Sequence, residues 1–155
     1  MSEMKLPKLK KIDSNKPKKK KILLLSDDLR MHSGIATQSK EFVVGTLDKY
    51  DWVQIGGAIK HPEQGKVIDM SQAILNEYGL KDVYLKIYPT SGYGNPQLLR
   101  EIITIEKPDA IMHFTDPRFW TWLYNMENEI RQNIPIMYYN ILCLPIFITI
   151  FRKYS

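Results

Sequence analysis

The stretch KKILLLSDDLRMHSGIATQSKEFV, residues 20–43, decides how the chain is read. Residues 22–25 are an unbroken apolar run that ends in Ser26, Asp27 and Asp28. A strand buried on both faces needs apolar side chains on both, and in a parallel sheet such a strand delivers polar groups at its carboxyl end. A loop over residues 29–34 follows, with Ser33 placed to cap a helix and Gly34 at the helix start. Residues 35–50 then carry helical spacing, and Ile35, Phe42, Val43, Thr46 and Leu47 are placed to share one face.

The rest of the chain repeats that alternation. DWVQIGGA at 51–58 reads as a second strand, a short helix is expected around 70–78, and DVYLKIY at 82–88 reads as a third strand. Pro89, Ser91, Gly92, Gly94 and Pro96 make a loop. Asn95 is placed to cap a helix through Leu98, Leu99, Ile102, Ile103 and Ile105, with Pro96 at its first position and Lys107-Pro108 at its end. DAIMHF at 109–114 is a fourth strand, residues 117–132 a helix with Trp120, Leu123, Tyr124 and Ile130 on its apolar side, and IPIMYYN at 134–140 a fifth strand. Strands alternating with helices predict an α/β fold, a Rossmann-like parallel sheet flanked by helices.

Charge is unevenly distributed. Nine lysines (5, 8, 10, 11, 16, 18, 19, 20 and 21) stand against Glu3 and Asp13 in residues 1–21, whereas the remaining thirteen basic and fifteen acidic residues leave the folded part slightly acidic. A Lys- and Pro-rich segment with few aliphatic residues buries too little surface to order itself, so residues 1–20 are expected to be a solvated tail. No aromatic residue is interleaved among the lysines, which argues against specific nucleic-acid binding. The polar N-terminus lacks a secretory signal pattern, and a cytoplasmic location is expected. One cysteine, Cys143 in an apolar run, excludes an internal disulfide and any multi-cysteine metal site.

Residues 141–151, ILCLPIFITIF, are almost wholly apolar. Eleven residues interrupted by Pro145 fall short of the roughly 20 that span a bilayer, so no transmembrane segment is expected. Three readings stand for segment 141–155: a last buried strand, a shallow membrane contact, or a non-native continuation after a frameshift or truncated reading frame.

In an open parallel sheet, ligands bind beyond the carboxyl ends of the strands. Three loops there supply candidate groups. The first holds Ser33 and Gly34 at a helix start, where backbone N–H groups and the helix dipole favour a phosphate; a plain capped turn explains the same residues. Neither the dinucleotide glycine fingerprint nor the P-loop is present. Gly56-Gly57 after the second strand fits close packing better than ligand approach. The third, His113-Phe114-Thr115-Asp116-Pro117-Arg118-Phe119-Trp120, gathers an imidazole, a carboxylate, a guanidinium and aromatic rings that suit a sugar or nucleotide. Asp116 before Pro117 is equally a helix cap, and His113 equally a core histidine.

Residues 20–43, with KPDAIMHFTDPRFW at 107–120 and IPIMYYNI at 134–141, resemble the N-terminal half of GT-B glycosyltransferases of the group 1 or family 4-like kind. The resemblance covers roughly residues 20–140. It implies two Rossmann-like domains facing across a cleft, the N-terminal one holding the acceptor. The implied activity is transfer of a sugar from a nucleotide-sugar donor to a glycan or other hydroxyl acceptor, without an obligatory cofactor or metal. It places Ser33 and Gly34 near the donor diphosphate, and His113 and Asp116 as catalytic groups facing the transferred sugar, with Arg118 and Trp120 as substrate-binding neighbours. The family's C-terminal donor domain has no counterpart in these 155 residues, so the chain alone is expected to be inactive.

Two other classes fit parts of the pattern. A non-catalytic α/β binding module shares every feature except turnover. Asp27-Asp28 also resembles the acidic pair of magnesium-binding receiver domains; those require an aspartate ending strand three and a lysine ending strand five. Here the corresponding ends are Ile87-Tyr88-Pro89 and Tyr139-Asn140.

Overall fold

The computed structural model describes residues 18–59 and 62–139, with the side chains of 58 and 59 left aside. The tail through residue 17, Asn140, Cys143 and the apolar segment 141–155 lie outside the described residues.

A six-stranded sheet organises the domain. Its strands are β1 (Lys20–Asp27), β2 (Tyr50–Ile59), β3 (Ile68–Asp69), β4 (Leu85–Ser91), β5 (Ala110–Phe114) and β6 (Ile136–Tyr138). They lie in the order β3-β4-β2-β1-β5-β6. Every neighbouring pair is parallel except β3 with β4, a two-residue antiparallel edge that the sequence pattern does not signal. The helices are α1 (Gly34–Val44), α2 (Ser71–Tyr78), α3 (Pro96–Glu106), α4 (Thr121–Asn125) and α5 (Glu127–Arg131). This is the α/β, Rossmann-like arrangement expected from the alternation of elements.

Alternate residues of β1 feed two cores, as the two-residue period of a strand requires. Leu23 and Leu25 face Val53, Ile55, Ile111, Leu99 and Ile102 with Leu123, Met126 and Ile130, beneath α3, α4 and α5. Ile22 and Leu24 face the opposite way, into Val43, Leu47, Trp52, Ile74, Leu85 and Ile87 with Met112, beneath α1 and α2. Both faces of the sheet are covered, which is why residues 22–25 carry no polar side chain.

Several boundaries and faces differ from the sequence reading. The buried positions in and just after α1 are Ala36, Ser39, Val43 and Leu47, whereas Phe42 stays exposed. Small residues at 36 and 39 let the helix backbone approach the sheet, and that turns Phe42 outward to pack edge-on against Trp52. The helix stops at Val44, because Gly45 and four turn residues lead directly into β2. β4 starts three residues later than expected and runs through Pro89 to Ser91; Pro89 sits in register with Gly56. Segment 117–132 is not one helix but a 3-10 turn (Pro117–Phe119) followed by α4 and α5, which meet at Met126. Trp120, Leu123 and Met126 are all buried at a spacing of three, and the N–H of Met126 donates to the Leu123 carbonyl at 3.2 Å. Side chains three apart eclipse where the chain tightens to three residues per turn, and such a turn at Met126 interrupts the α-helical run.

The lysine-rich segment enters the fold earlier than expected. Lys19 donates to the Leu47 carbonyl at 2.8 Å, Lys20 pairs with Asp109 at 3.1 Å, and Lys21 reaches Glu106 at 2.9 Å. Glu106 is buried, and its carboxylate also accepts from the Tyr84 hydroxyl at 2.8 Å and the Tyr88 hydroxyl at 2.6 Å. Burial alone would raise the Glu106 carboxyl; the donors from Tyr88, Lys21 and Tyr84 outweigh it and hold the group below its ordinary value. A carboxyl with a depressed value stabilises the fold above the ordinary carboxylate range and loses that contribution as the pH falls. Glu106→Ala leaves these donors facing a void, and is expected to destabilise by about 3 kcal/mol at neutral pH. Urea unfolding should show this deficit at pH 7, and the deficit should shrink as the pH falls below the ordinary carboxyl value of 4.5.

Candidate functional site

The strand order turns at β1. From β1 the chain steps to β2 and β4 on one side, then returns to place β5 and β6 on the other. At such a reversal the loops leaving the two central strands diverge, one over each face of the sheet, and a crevice opens between them. Here the loops after β1 and β5 flank it.

Asp27, the last residue of β1, lies at the floor and is 8% exposed. One carboxylate oxygen accepts from the Ser33 hydroxyl and the other from the Thr115 hydroxyl, each at 3.2 Å. Ser33 is also the N-cap of α1, accepting from the Ala36 N–H at 3.0 Å. One carboxylate therefore ties the start of α1 to the loop after β5 across the turning point of the sheet. Gln54 braces the same corner from β2: its amide donates to Ser26 Oγ and to the Asp27 carbonyl, each at 2.7 Å, and its oxygen accepts from the Leu29 N–H.

The adjacent acid behaves differently. Asp28 is wholly buried and pairs with Arg30, which also reaches Glu63 at 2.7 Å. The hydrogen bond to Asp28 is the main cause that raises the Arg30 guanidinium. A Cβ on Gly56 would fall 2.9 Å from an Asp28 carboxylate oxygen, so that glycine is needed for packing. Asp27 and Asp28 thus do not converge on one point, and β4 ends in Thr90 and Ser91 rather than in a carboxylate. Among the described residues no three His, Cys, Asp or Glu side chains gather around a metal-sized site.

Three buried carboxylates can now be compared. Glu106 pairs with Lys21, and Asp28 with Arg30. Among the described residues Asp27 is hydrogen-bonded by two neutral hydroxyls. An ionised carboxylate offers about four acceptor positions, so Asp27 retains capacity for two more donors.

Aromatic residues form the rim. The loops after β4 and β5 converge on Gly57 of β2, where a Cβ would stand 2.8 Å from the Gly92 carbonyl oxygen, 3.4 Å from Tyr93 Cα and 3.6 Å from the Trp120 ring. Tyr93 stacks on Phe119, with ring centroids 4.7 Å apart and planes 9° from parallel. Burial raises the Tyr93 phenol, and the charges of Asp27 and Asp116 raise it further. Phe119 remains 51% exposed.

The residues singled out in the sequence fall into two groups. Ser33, Gly34, Asp116 and Arg118 lie on the loops that flank the crevice. Space in front of Gly34 is open, for a Cβ there would meet nothing within 4 Å. Asp116 caps the 3-10 turn by accepting from the Arg118 N–H at 2.9 Å, and forks onto the Arg118 guanidinium. That hydrogen-bonded pairing holds the Asp116 carboxyl below its ordinary range. His113 and Trp120, by contrast, are wholly buried in the core beneath the crevice. The imidazole lies edge-on to Trp120, Tyr138 and Tyr124 at centroid distances of 5.3, 5.7 and 6.1 Å. Neither ring nitrogen finds a hydrogen-bond partner among the described residues. Asp27, Thr115 and Phe119 lie in stretches that the sequence already marks; what sequence reasoning missed is that Thr115 binds Asp27 and that Tyr93 stacks on Phe119.

The chain matches no family model, no curated protein and no solved structure. The glycosyltransferase resemblance of residues 20–140 therefore rests on the sequence pattern.

A second concavity of about 450 Å³ lies away from the turning point, between residues 64–67, the outer edge of β4 and α3. Of its polar groups, Asn95 caps α3 and Gln97 donates to Glu101 at 2.9 Å. Among the described residues no helix is long and apolar enough to cross a membrane.

Burial pushes the His113 imidazole down to about 4 from an ordinary value of 6.5, despite the opposing pull of Asp116. The unfolded chain takes up this proton first. Stability is therefore full above pH 6.5 and falls as the pH drops toward 4, by roughly 3 kcal/mol in total. His113→Phe is expected to flatten the stability curve between pH 6.5 and 5, above the carboxyl range, when unfolding midpoints are compared across that interval.

Proposed function

We propose that residues 18–139 form the acceptor-side half of a GT-B glycosyltransferase, binding a hydroxyl-bearing acceptor in the crevice between the ends of β1 and β5. The observation that carries this reading is Asp27, a buried carboxylate at the turning point of the sheet whose partners are two neutral hydroxyls. Such a group accepts hydrogen bonds from alcohols without exchanging a bound cation for them. Free lone pairs at a preorganised carboxylate cost no reorganisation when a ligand hydroxyl arrives. Ser33 and Thr115 fix the carboxylate plane, and a Cβ at Gly34 would meet nothing within 4 Å.

In this reading the donor diphosphate is held mainly by a second domain facing the crevice. The N-terminal end of α1 contributes backbone N–H groups on the near side. Departure of the diphosphate from an oxocarbenium-like transition state is stabilised by those dipoles and by cations. Asp116, already forked onto Arg118, stands at the rim facing the transferred sugar, and His113 supports that rim from below. Residues 18–139 then bind acceptor without turnover. The localisation that fits nucleotide-sugar chemistry is the cytoplasm.

The test is to incubate the purified chain with nucleotide-sugars and a panel of hydroxyl acceptors. Binding is followed by calorimetry and products by mass spectrometry. Saturable acceptor binding is expected, weakened about tenfold or more by Asp27→Asn, because a carboxylate accepts more strongly than a neutral amide. No glycosylated product is expected. A product formed by this chain alone, or acceptor binding indifferent to Asp27→Asn, contradicts the reading.

A further inference from the structure

α1 runs back along the sheet between two parallel strands, so its last turn lies at the amino ends of the strands, opposite the crevice. Phe42 in that turn and Tyr50 at the start of β2 are 45% and 37% exposed. Both rings pack edge-on against Trp52, at centroid distances of 5.8 and 6.5 Å. Trp52 is buried, and its indole N–H donates to Thr46 Oγ1 at 3.1 Å. Two exposed rings are thus braced on one fixed support. Single exposed apolar residues are ordinary on a protein surface; two on a shared support form a patch.

The lysine-rich segment enters the fold beside this patch. In the register of β1 with β2, Lys20 is the partner of Tyr50. The two-residue period of the strand turns Lys20 to the face of Ile22 and Leu24, which pack with Trp52. The Lys20 side chain is 72% exposed even while it pairs with Asp109. Lys19 is tied to the Leu47 carbonyl, in the turn that joins α1 to β2. Lys18 and Lys49 are exposed, as are the acids Glu41 and Asp48. Residues 1–17 add lysines at 5, 8, 10, 11 and 16 against Glu3 and Asp13, with Leu6, Leu9 and Ile12 among them.

An aromatic body, ending in a polar tip in the case of Tyr50, suits the boundary between acyl chains and headgroups of a bilayer. Lysine is a compact, strongly hydrated charge that is drawn to a diffuse anionic surface without requiring a fixed geometry. Base recognition draws instead on arginine and on rings interleaved with the cations, and residues 1–21 contain neither.

We propose that the amino ends of the strands form a docking surface for an anionic lipid membrane, with Phe42 and Tyr50 seated among the headgroups and the lysines of residues 1–20 supplying the attraction. Docking here is independent of what the crevice binds. Lys20 and Asp27 stand about 23 Å apart along β1, so a chain docked by this end turns the crevice away from the membrane.

The experiment is co-sedimentation of the purified full chain with vesicles of phosphatidylcholine alone and of phosphatidylcholine with phosphatidylserine at roughly 3:1. Binding to the phosphatidylserine vesicles is expected to exceed binding to the neutral ones about tenfold or more, and to fade as added salt screens it. The double change Phe42→Ser and Tyr50→Ser should weaken binding about fivefold or more, with circular dichroism showing the fold retained. Replacing Lys5, Lys8, Lys10, Lys11 and Lys16 by Gln should weaken it about as much, roughly fivefold or more. The apolar segment 141–151 is the same in every variant, so its own contribution cancels. Equal binding to both kinds of vesicle, or binding that either set of substitutions leaves unaltered, overturns the proposal. So does binding to a DNA duplex of equal phosphate content that matches the vesicles and ignores the changes at Phe42 and Tyr50, for the lysines are then a general polyanion tether.

Discussion

The fold depends on one constraint, the placement of β1 between β2 and β5 with both edges paired and both faces covered. The middle of a strand in that position, residues 22–25, presents nothing polar, and beyond the lysines at its start polar side chains emerge again only at its carboxyl end. The sheet order reverses at this strand, so those side chains emerge where two diverging loops leave a gap. Asp27 is the residue delivered there. Its bonds to Ser33 and Thr115 link the start of α1 to the loop after β5, residues 88 apart in sequence in the second case. The crevice is therefore a consequence of where β1 ends, and not of a separate binding motif.

The buried acids show how one chemical group takes different roles in one domain. Glu106 and Asp28 each lie beside a cation and several donors, and both close a seam of the structure. Asp27 lies at a comparable depth with neutral partners. A carboxylate already neutralised by arginine or lysine has little to offer a ligand, whereas one held by hydroxyls keeps much of its charge and part of its acceptor capacity. This difference separates the functional reading of Asp27 from the structural reading of its neighbours. It also explains why a pair of adjacent aspartates after β1 does not work as a single acidic site here: Asp28 is turned under Gly56 and into Arg30.

What the sequence made legible was local. The apolar run 22–25, the caps at Ser33, Asn95 and Asp116, and Pro96 at a helix start follow rules that act within a few residues, and each is found in the structure. The packing role expected for Gly56-Gly57 is also found. What stayed hidden was tertiary. Nothing near Asp27 in sequence announces Thr115, and nothing near Phe119 announces Tyr93. The face of α1 was misread because apolar character pointed to Phe42, while close approach to the sheet selected Ala36 and Ser39. The single helix expected over 117–132 broke because burial at 120, 123 and 126 imposed a tighter turn. Lys19 and Lys20, expected in the tail, join the fold because both find partners on distant elements that composition cannot reveal.

A ligand is expected to bind at the crevice at the end of β1, rather than in the concavity of about 450 Å³ beside α3. Amide chemical-shift mapping on the isotope-labelled chain, titrated with a library of small polyhydroxyl compounds, tests this most directly. The shifts are expected to cluster at residues 27–34, 92–94 and 115–120. A cluster at residues 64–67 and along α3 instead, with the amides around Asp27 unmoved, would contradict it.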